Sequence, residues 1–237
     1  MQSIFKRYEE KYLIPQELYA ELQKIMSLHM ESDQFGEYLV QNLYYDTENW
    51  DIIRASIERP LYKEKMRLRC YGIPDKDSRT YLELKKKYEG IVHKRRVAIP
   101  FSDLSISSAR EVVASGICQI SNELDFYIEA NAVSEKVYIA YHRTAFIGTE
   151  NKGLRVTFDK DVRFRLDCLD YFHPDDGCVI LPQDKVLMEV KTFGGMPMWL
   201  ARALSENGIF PTKFSKYGVC YTDYIFKKFE RKVLVCA

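Results

Sequence analysis

The sequence predicts an α+β fold, and three observations predict it. About eight mostly long segments alternate apolar and polar residues with the period of two that a β-strand imposes. Several others carry apolar residues at helical spacing. The charged residues of the alternating segments recur every second position, so each strand has one charged face.

In chain order, the first strand is "FKRYEEKYLI" (residues 5 to 14), where Arg7, Glu9 and Lys11 alternate with Tyr8, Glu10 and Tyr12. Pro15 opens the helix "PQELYAELQKIMSLHM" as its first helical residue, a position where a missing N–H is tolerated. A strand "EYLVQNLYYD" (37 to 46) follows, and Thr47 is the expected cap of the helix in "ENWDIIRASI". The strand "KEKMRLRCYG" (63 to 72) sets Lys65, Arg67 and Arg69 in one row, with roughly 7 Å between neighbours. "TYLELKKKYEG" (80 to 90) adds Glu83, Lys85 and Lys87 on one face, and "VHKRRVAI" (92 to 99) adds Lys94 and Arg96. Ser102 caps the helix "DLSISSAREVVAS", and another helix runs through "CQISNELDFYIEAN".

The later strands are "KVYIAYHRTAFI" (136 to 147), which carries Arg143, and "LRVTFDKDVRFR" (154 to 165), where Arg155, Thr157 and Asp159 share a face. "KVLMEVKTFG" (185 to 194) carries Glu189 and Lys191, and a helix follows Gly195 in "MPMWLARALSEN". No repeat, low-complexity tract or linker interrupts the chain, so residues 1–237 read as one domain.

With 237 residues and 46% hydrophobic content, the chain can bury one large core. A net charge of +1 gives it no general electrostatic affinity for nucleic acid. The six cysteines have no C-x-x-C spacing and read as free thiols of a reducing cytoplasm. Neither a signal peptide nor an apolar run of about 20 residues is present, so the expectation is a cytoplasmic chain with no membrane segment. The four histidines lack ligand spacing, Trp50 and Trp199 sit at helical packing positions, and neither "FGGMP" nor any G-x-S-x-G supplies a phosphate loop or a nucleophile elbow.

Charge distribution is more informative than its sum. One polar face from each strand, with Lys213 and Lys216, gathers fourteen cations against Glu9, Glu83, Asp159 and Glu189, leaving the remainder of the chain acidic. Periodicity does not settle whether this surface faces solvent or the interior of a closed sheet. Apolar-faced helices must pack on something, and if they cover the apolar strand faces from outside, the charges face inward. Cations facing one another at low dielectric repel unless a polyanion fills the space, and a chain of phosphates meets that requirement. Arginine contacts phosphate oxygens in pairs, lysine acts as a point charge, and an interleaved carboxylate can hold a divalent cation.

The ordered set "RYEEKYLI", "KMRLRCYG", "YLELKKKYEGIVHKRR", "YHRTAF", "LRVTFD", "VLMEVK" and "KFSKYGVCYTDY" resembles the catalytic domain of the vacuolar transporter chaperone (VTC) polyphosphate polymerases, within the triphosphate tunnel metalloenzyme and CYTH-like superfamily. The resemblance runs from about residue 5 to residue 226. It implies a closed antiparallel β-barrel of about eight strands with helices packed outside, whose interior binds triphosphate. It also implies transfer of the γ-phosphate of ATP to a growing polyphosphate chain with Mn²⁺ or Mg²⁺. Carried over by motif, Lys11, Arg67, Arg69, Lys85, Lys94, Arg143 and Arg155 contact phosphate, Glu189 holds the metal, and Lys213, Ser215 and Lys216 complete the site.

Lys65, Lys87, Arg96 and Lys191 line the mouth or are solvated, while Glu9, Glu83 and Asp159 bind metal or pair with neighbouring cations. Many tunnel hydrolases begin with E-x-E-x-K, whereas this chain has Arg7-x-Glu9-x-Lys11, one carboxylate short, which favours a polymerase over a hydrolase. The chain reads as a compact, bacterial-like, stand-alone copy, without the phosphate-sensing and membrane segments of the eukaryotic complexes. A tunnel-type tripolyphosphatase or nucleoside triphosphatase, and a non-catalytic polyphosphate-binding module, are the other readings.

Overall fold

A computed structural model describes residues 7–58, 60–89, 91–104, 109–114 and 118–227. Residues 5–6, 90, 105–108 and 115 of the expected elements, and Cys236, lie outside the described residues. Five described cysteines are free thiols. Among the described residues no helix is long and apolar enough to cross a membrane.

The strands are β1 (Arg7–Pro15), β2 (Met30–Asp46), β3 (Tyr62–Tyr71), β4 (Arg79–Tyr88), β5 (Ile91–Pro100), β6 (Ser134–Gly148), β7 (Arg155–Arg165), the two-residue β8 (Cys178–Val179) and β9 (Lys185–Phe193). The helices are α1 (Gln16–Met26), α2 (Asp51–Ile57), α3 (Phe101–Leu104), α4 (Ala109–Ala114), α5 (Gln119–Asn131), α6 (Met198–Glu206) and α7 (Lys216–Val219), the last continued by a π-helical stretch Cys220–Phe226. The chain divides into two compact units.

The first unit comprises Met1–Leu39, Tyr141–Val162 and Val179–Ser215. Here β1 pairs antiparallel with β9 from Arg7↔Phe193 to Pro15↔Lys185, and β9 pairs antiparallel with β7 from Arg155↔Lys191 to Asp159↔Leu187. Alternation sends Tyr12 and Ile14 of β1, Val156 and Phe158 of β7, and Val186, Met188 and Val190 of β9 into one core. Tyr19, Leu22 and Met26 of α1 and Leu200, Ala203 and Leu204 of α6 join them at helical spacing. Tyr19 meets the ring of Phe158 edge-on, with centroids 4.9 Å apart. Pro15 ends β1 and precedes α1 with an extended ψ of 138°, so the helix opens one residue later than its first-position preference predicts. A tight turn joins β6 to β7: Gly148 N–H donates to Leu154 O at 3.0 Å. A Cβ on Gly148 would lie 2.4 Å from Asn151 O, so the turn that delivers Arg155 requires glycine there.

The second unit comprises Val40–Ala140, Arg163–Cys178 and Lys216–Ala237. Its central ladder is antiparallel throughout, from β2 to β3 (Val40↔Tyr71 to Tyr45↔Met66), β3 to β4 (Tyr62↔Tyr88 to Arg69↔Tyr81) and β4 to β5 (Arg79↔Pro100 to Tyr88↔Ile91). Met66, Leu68, Cys70, Leu82 and Leu84 are fully buried on one parity, α2 packs against β3, and α5 packs against β5. The start of α2 is organised by Asp46, whose carboxylate accepts the N–H groups of Thr47 at 2.8 Å and of Ile52 and Ile53 at 3.0 Å. The hydroxyl of Thr47, the expected cap, accepts the Asp51 N–H at 3.0 Å. The Tyr217 hydroxyl donates to the same Asp46 carboxylate at 2.7 Å, tying α7 to the end of β2. Burial pushes the Asp46 pKa up against the pull of these donors.

Among the described residues the strand order β1-β9-β7-β6-β2-β3-β4-β5 has two ends, so these ladders do not close into the expected barrel. At one end, β5 is exposed from Ile91 to Arg96 and carries Lys94, Arg95 and Arg96 in succession. Such a charged terminal strand resists further strand pairing.

Phe158 is fully buried and in contact with two aromatic rings, so Phe158→Ala is expected to cost about 3–5 kcal/mol. Urea denaturation of the two proteins checks this.

Candidate functional site: two cation-bearing sheet faces

In the second unit, register assembles the charged parity of β3, β4 and β5 into cross-strand rows. Tyr44, Arg67, Glu83 and Arg96 stand opposite one another across β2, β3, β4 and β5. Two residues along, Lys65, Lys85 and Lys94 form the next row, followed by Lys63 opposite Lys87. On the other side lie Asn42, Arg69 and Tyr81. Like charges directly opposite in a ladder destabilise it. One carboxylate on this face, Glu83, is 1% exposed and offsets part of that repulsion.

Arg67 donates to Glu83 Oε2 through Nε at 3.0 Å and Nη2 at 2.9 Å, and through Nη1 to the Tyr44 hydroxyl at 3.3 Å. Lys94 Nζ lies 2.5 Å and Arg96 Nε 3.3 Å from Glu83 Oε1. Burial raises the Glu83 pKa, but Arg67, Arg69 and Lys94 outweigh it and bring the pKa down to about 2. Burial also lowers the Lys94 pKa, and the Glu83 charge opposes that shift. Arg69 is buried and donates from Nε to Asn42 Oδ1 at 2.8 Å. The Arg96 guanidinium lies over the Tyr81 ring, 3.5 Å from its centroid. Tyr44 stacks on Tyr217 at 4.7 Å, and Lys65 Nζ is 6.0 Å from the Tyr217 ring centre. Lys85, predicted for the site, is exposed on this face, and Lys216 is half-buried at the start of α7.

The opposite parity has a different partner. Lys86 and Arg95 reach Glu123 of α5 at 3.0 and 2.9 Å, and hydrogen bonds from Lys86 first and then Arg95 depress the Glu123 pKa. The middle lysine of "KKK" therefore serves helix packing, while its neighbours serve the cationic face.

In the first unit, Lys11, Glu189 and Thr157 stand opposite one another across β1, β9 and β7. Beside them runs the row Glu9, Lys191 and Arg155. Glu189 is 7% exposed and forms an ion pair with Lys191. Burial favours the neutral acid, but Lys191, Lys11 and Arg143 prevail and hold the Glu189 pKa well below the usual range. Lys11 Nζ also donates to Phe214 O at 3.0 Å, and Thr212 N–H to Lys11 O at 2.7 Å, so the segment before Lys213 and Ser215 lies along β1. Lys213 is exposed and Ser215 half-buried.

Arg143 grips buried Asp159 with two hydrogen bonds of 2.6 and 2.8 Å. Despite burial, the Asp159 charge raises the Arg143 pKa well above its ordinary value. Arg155 is exposed, with Nη2 4.0 Å from Asp33 Oδ2. Register thus gathers Lys11, Arg155 and Glu189 in one unit and Arg67, Arg69, Lys85 and Lys94 in the other. Of the carboxylates left between two roles, Glu83 and Asp159 pair with cations.

The VTC domain sequence pattern matches residues 6–224. The chain belongs to the VTC domain family. A candidate adenylate cyclase from Vibrio parahaemolyticus shares its fold, with 14% identity, a TM-score of 0.50, and coverage of 93% of this chain and 100% of the other. A candidate adenylyl cyclase from Hippeastrum, described with a dominant triphosphatase activity, is 17% identical over 89% of this chain and 93% of its own, with a TM-score of 0.49. No curated protein matches the chain.

The resemblance attached a divalent cation to the VTC domain, and Glu189 fits one: its carboxylate is charged and buried on the cationic face. Directly opposite, the Thr157 hydroxyl is buried with no hydrogen-bond partner. Oxygen donors of this kind suit Mn²⁺ or Mg²⁺. Sequence reasoning assigned no site role to Tyr44, Asn42, Asp46 or Thr157. For Thr157 the available signal was its shared parity with Arg155; Asn42, Tyr44 and Asp46 lie on a strand with no predicted cation, and only the pairing of β2 with β3 and the contact with Tyr217 reveal their neighbours.

Glu83→Gln is expected to destabilise this VTC domain near neutral pH by up to about 3 kcal/mol, the free-energy equivalent of its pKa depression. A depressed acid stabilises the fold above its unfolded pKa and loses that contribution as pH falls through the folded pKa. The difference between wild type and variant therefore shrinks from about pH 5 toward pH 2. Denaturant titrations across that range measure it.

Proposed function

We propose that this VTC domain is a polyphosphate polymerase that transfers the γ-phosphate of ATP to the end of a growing polyphosphate chain. The observation that carries the reading is the cross-strand row Arg67–Glu83–Arg96 flanked by Lys65, Lys85, Lys94 and Arg69, a face whose cations far outnumber its carboxylate. Family membership supports the same substrate chemistry. In this reading residues 1–237 act as one domain in the cytoplasm, and phosphate supplies the negative charge that the cationic face lacks.

An oxygen of the acceptor's terminal phosphate attacks the γ-phosphorus as the bond to the ADP oxygen breaks. The acceptor oxygen is already ionised, so no general base is needed. Arg67, Arg69, Lys85, Lys94 and Lys216 of the second unit, and Lys11, Arg143, Arg155, Lys213 and Ser215 of the first, are each read as contacts that neutralise phosphate oxygens. Glu189 would hold the divalent cation, which would supply positive charge to the reacting phosphates. Arg67 and Lys94 exchange part of their contact with Glu83 for phosphate. Arg7-x-Glu9-x-Lys11, one carboxylate short of E-x-E-x-K, supports transfer to phosphate over transfer to a metal-activated water.

Purified protein with ATP and Mn²⁺ is expected to give a polyphosphate ladder on a gel with matching ADP, and Arg67→Ala to lower the rate by roughly 10²–10³-fold. Free phosphate without a ladder would make the protein a tunnel-type hydrolase. Tight triphosphate binding without turnover would leave a non-catalytic polyphosphate-binding module.

A further inference from the structure

We propose that the Thr157 hydroxyl is a second protein oxygen, beside Glu189, for the divalent cation; this rests on reading Glu189 as the metal-binding carboxylate. Thr157 and Glu189 are direct partners in the β7–β9 ladder, and Lys11 lies opposite Glu189 on its other side. The neighbours Val156 and Phe158 are buried in the core, so alternation turns Thr157 to the face that carries Glu189. Directly opposed side chains on one face have Cβ atoms about 4.5–5.5 Å apart. At that spacing a carboxylate oxygen and a hydroxyl can share one small cation.

The hydroxyl is the unusual element. Thr157 is 2% exposed, and its Oγ1 has no hydrogen-bond partner. Valine has the same shape and strand preference without a polar atom to desolvate, so packing gives no reason for an oxygen here. A neutral hydroxyl is a suitable second ligand where the remaining ligands are phosphates. It adds an oxygen to the hard cation without adding charge that would repel the substrate. The hydroxyl that meets Mg²⁺ beside nucleotide phosphates in P-loop proteins follows the same logic. Lys191 neutralises Glu189 in the absence of the cation and stands in the adjacent row with Arg155, where it can turn to phosphate.

The test is Mn²⁺ binding, followed by electron paramagnetic resonance, to the full chain with saturating inorganic triphosphate, together with melting temperatures. Thr157→Val is expected to weaken Mn²⁺ binding about tenfold or more, at least the loss seen when a group that merely supports a metal ligand is removed. It should melt no lower than wild type, because the hydroxyl it removes has no partner. Thr157→Ser should restore binding, and Glu189→Gln should abolish it. Wild-type affinity in Thr157→Val with loss in Glu189→Gln would overturn the Thr157 assignment and leave Glu189 standing. Unchanged affinity in both variants, or no bound Mn²⁺ in wild type, would overturn both. A lowered melting temperature in Thr157→Val with no rescue by serine would make Thr157 a packing residue and overturn the proposal.

Discussion

Cations of the same sign crowded on a sheet face push the strands apart unless negative charge is buried among them. In the second unit that charge is Glu83, reached by Arg67, Lys94 and Arg96. In the first, Asp159 takes Arg143 and Glu189 takes Lys191. Unit charges 4 Å apart interact by about 4 kcal/mol at an effective dielectric of 20, enough to outweigh partial desolvation when several cations converge on one carboxylate. Three buried carboxylates therefore make each ladder tolerable before any ligand arrives. In the proposed function an incoming anion would compete with these internal partners, which a densely charged chain does better than a single anion.

Parity keeps this arrangement in register. Lys85, Lys86 and Lys87 are consecutive, yet Lys86 joins Glu123 of α5 while Lys85 and Lys87 stand on the cationic rows. A slip of one residue between β3 and β4 would send Lys86 into the cluster and bury Lys85 and Lys87 against the helix side. Leu82 and Leu84, both fully buried, oppose that slip because it would expose them. The apolar face thus fixes which charges meet.

The charged rows were legible because alternation is a local property, visible wherever one face of a strand is buried. The early part of β2 was not: residues 31–37 are mostly exposed on both faces, so the sequence "ESDQFGE" has no alternation, and the expected strand began at 37 rather than at Met30. Asp46 was hidden for another reason. Its three N–H partners follow in sequence, but the fourth donor, Tyr217, is 171 residues away, and only tertiary structure brings it there. Closure of the sheet is likewise a property of strand order. Among the candidate site residues, side-chain type and parity identified Arg67, Arg69 and Glu189, whereas the orphaned hydroxyl of Thr157 emerges only when burial and hydrogen bonding are known.

The pairing of β1 with β9 sets the order in which this protein can assemble during synthesis. The Lys11 side chain bonds to Phe214, 203 residues further along, and every rung of the β1 ladder waits for a strand near the far end of the chain. Contacts so distant along the chain close slowly, because loop entropy is lost before packing compensates it. Tyr12 and Ile14 consequently emerge from the ribosome long before the residues that bury them. Throughout that interval β1 is an amphipathic strand with its apolar face and its edges unpartnered, the kind of segment that holding chaperones recognise.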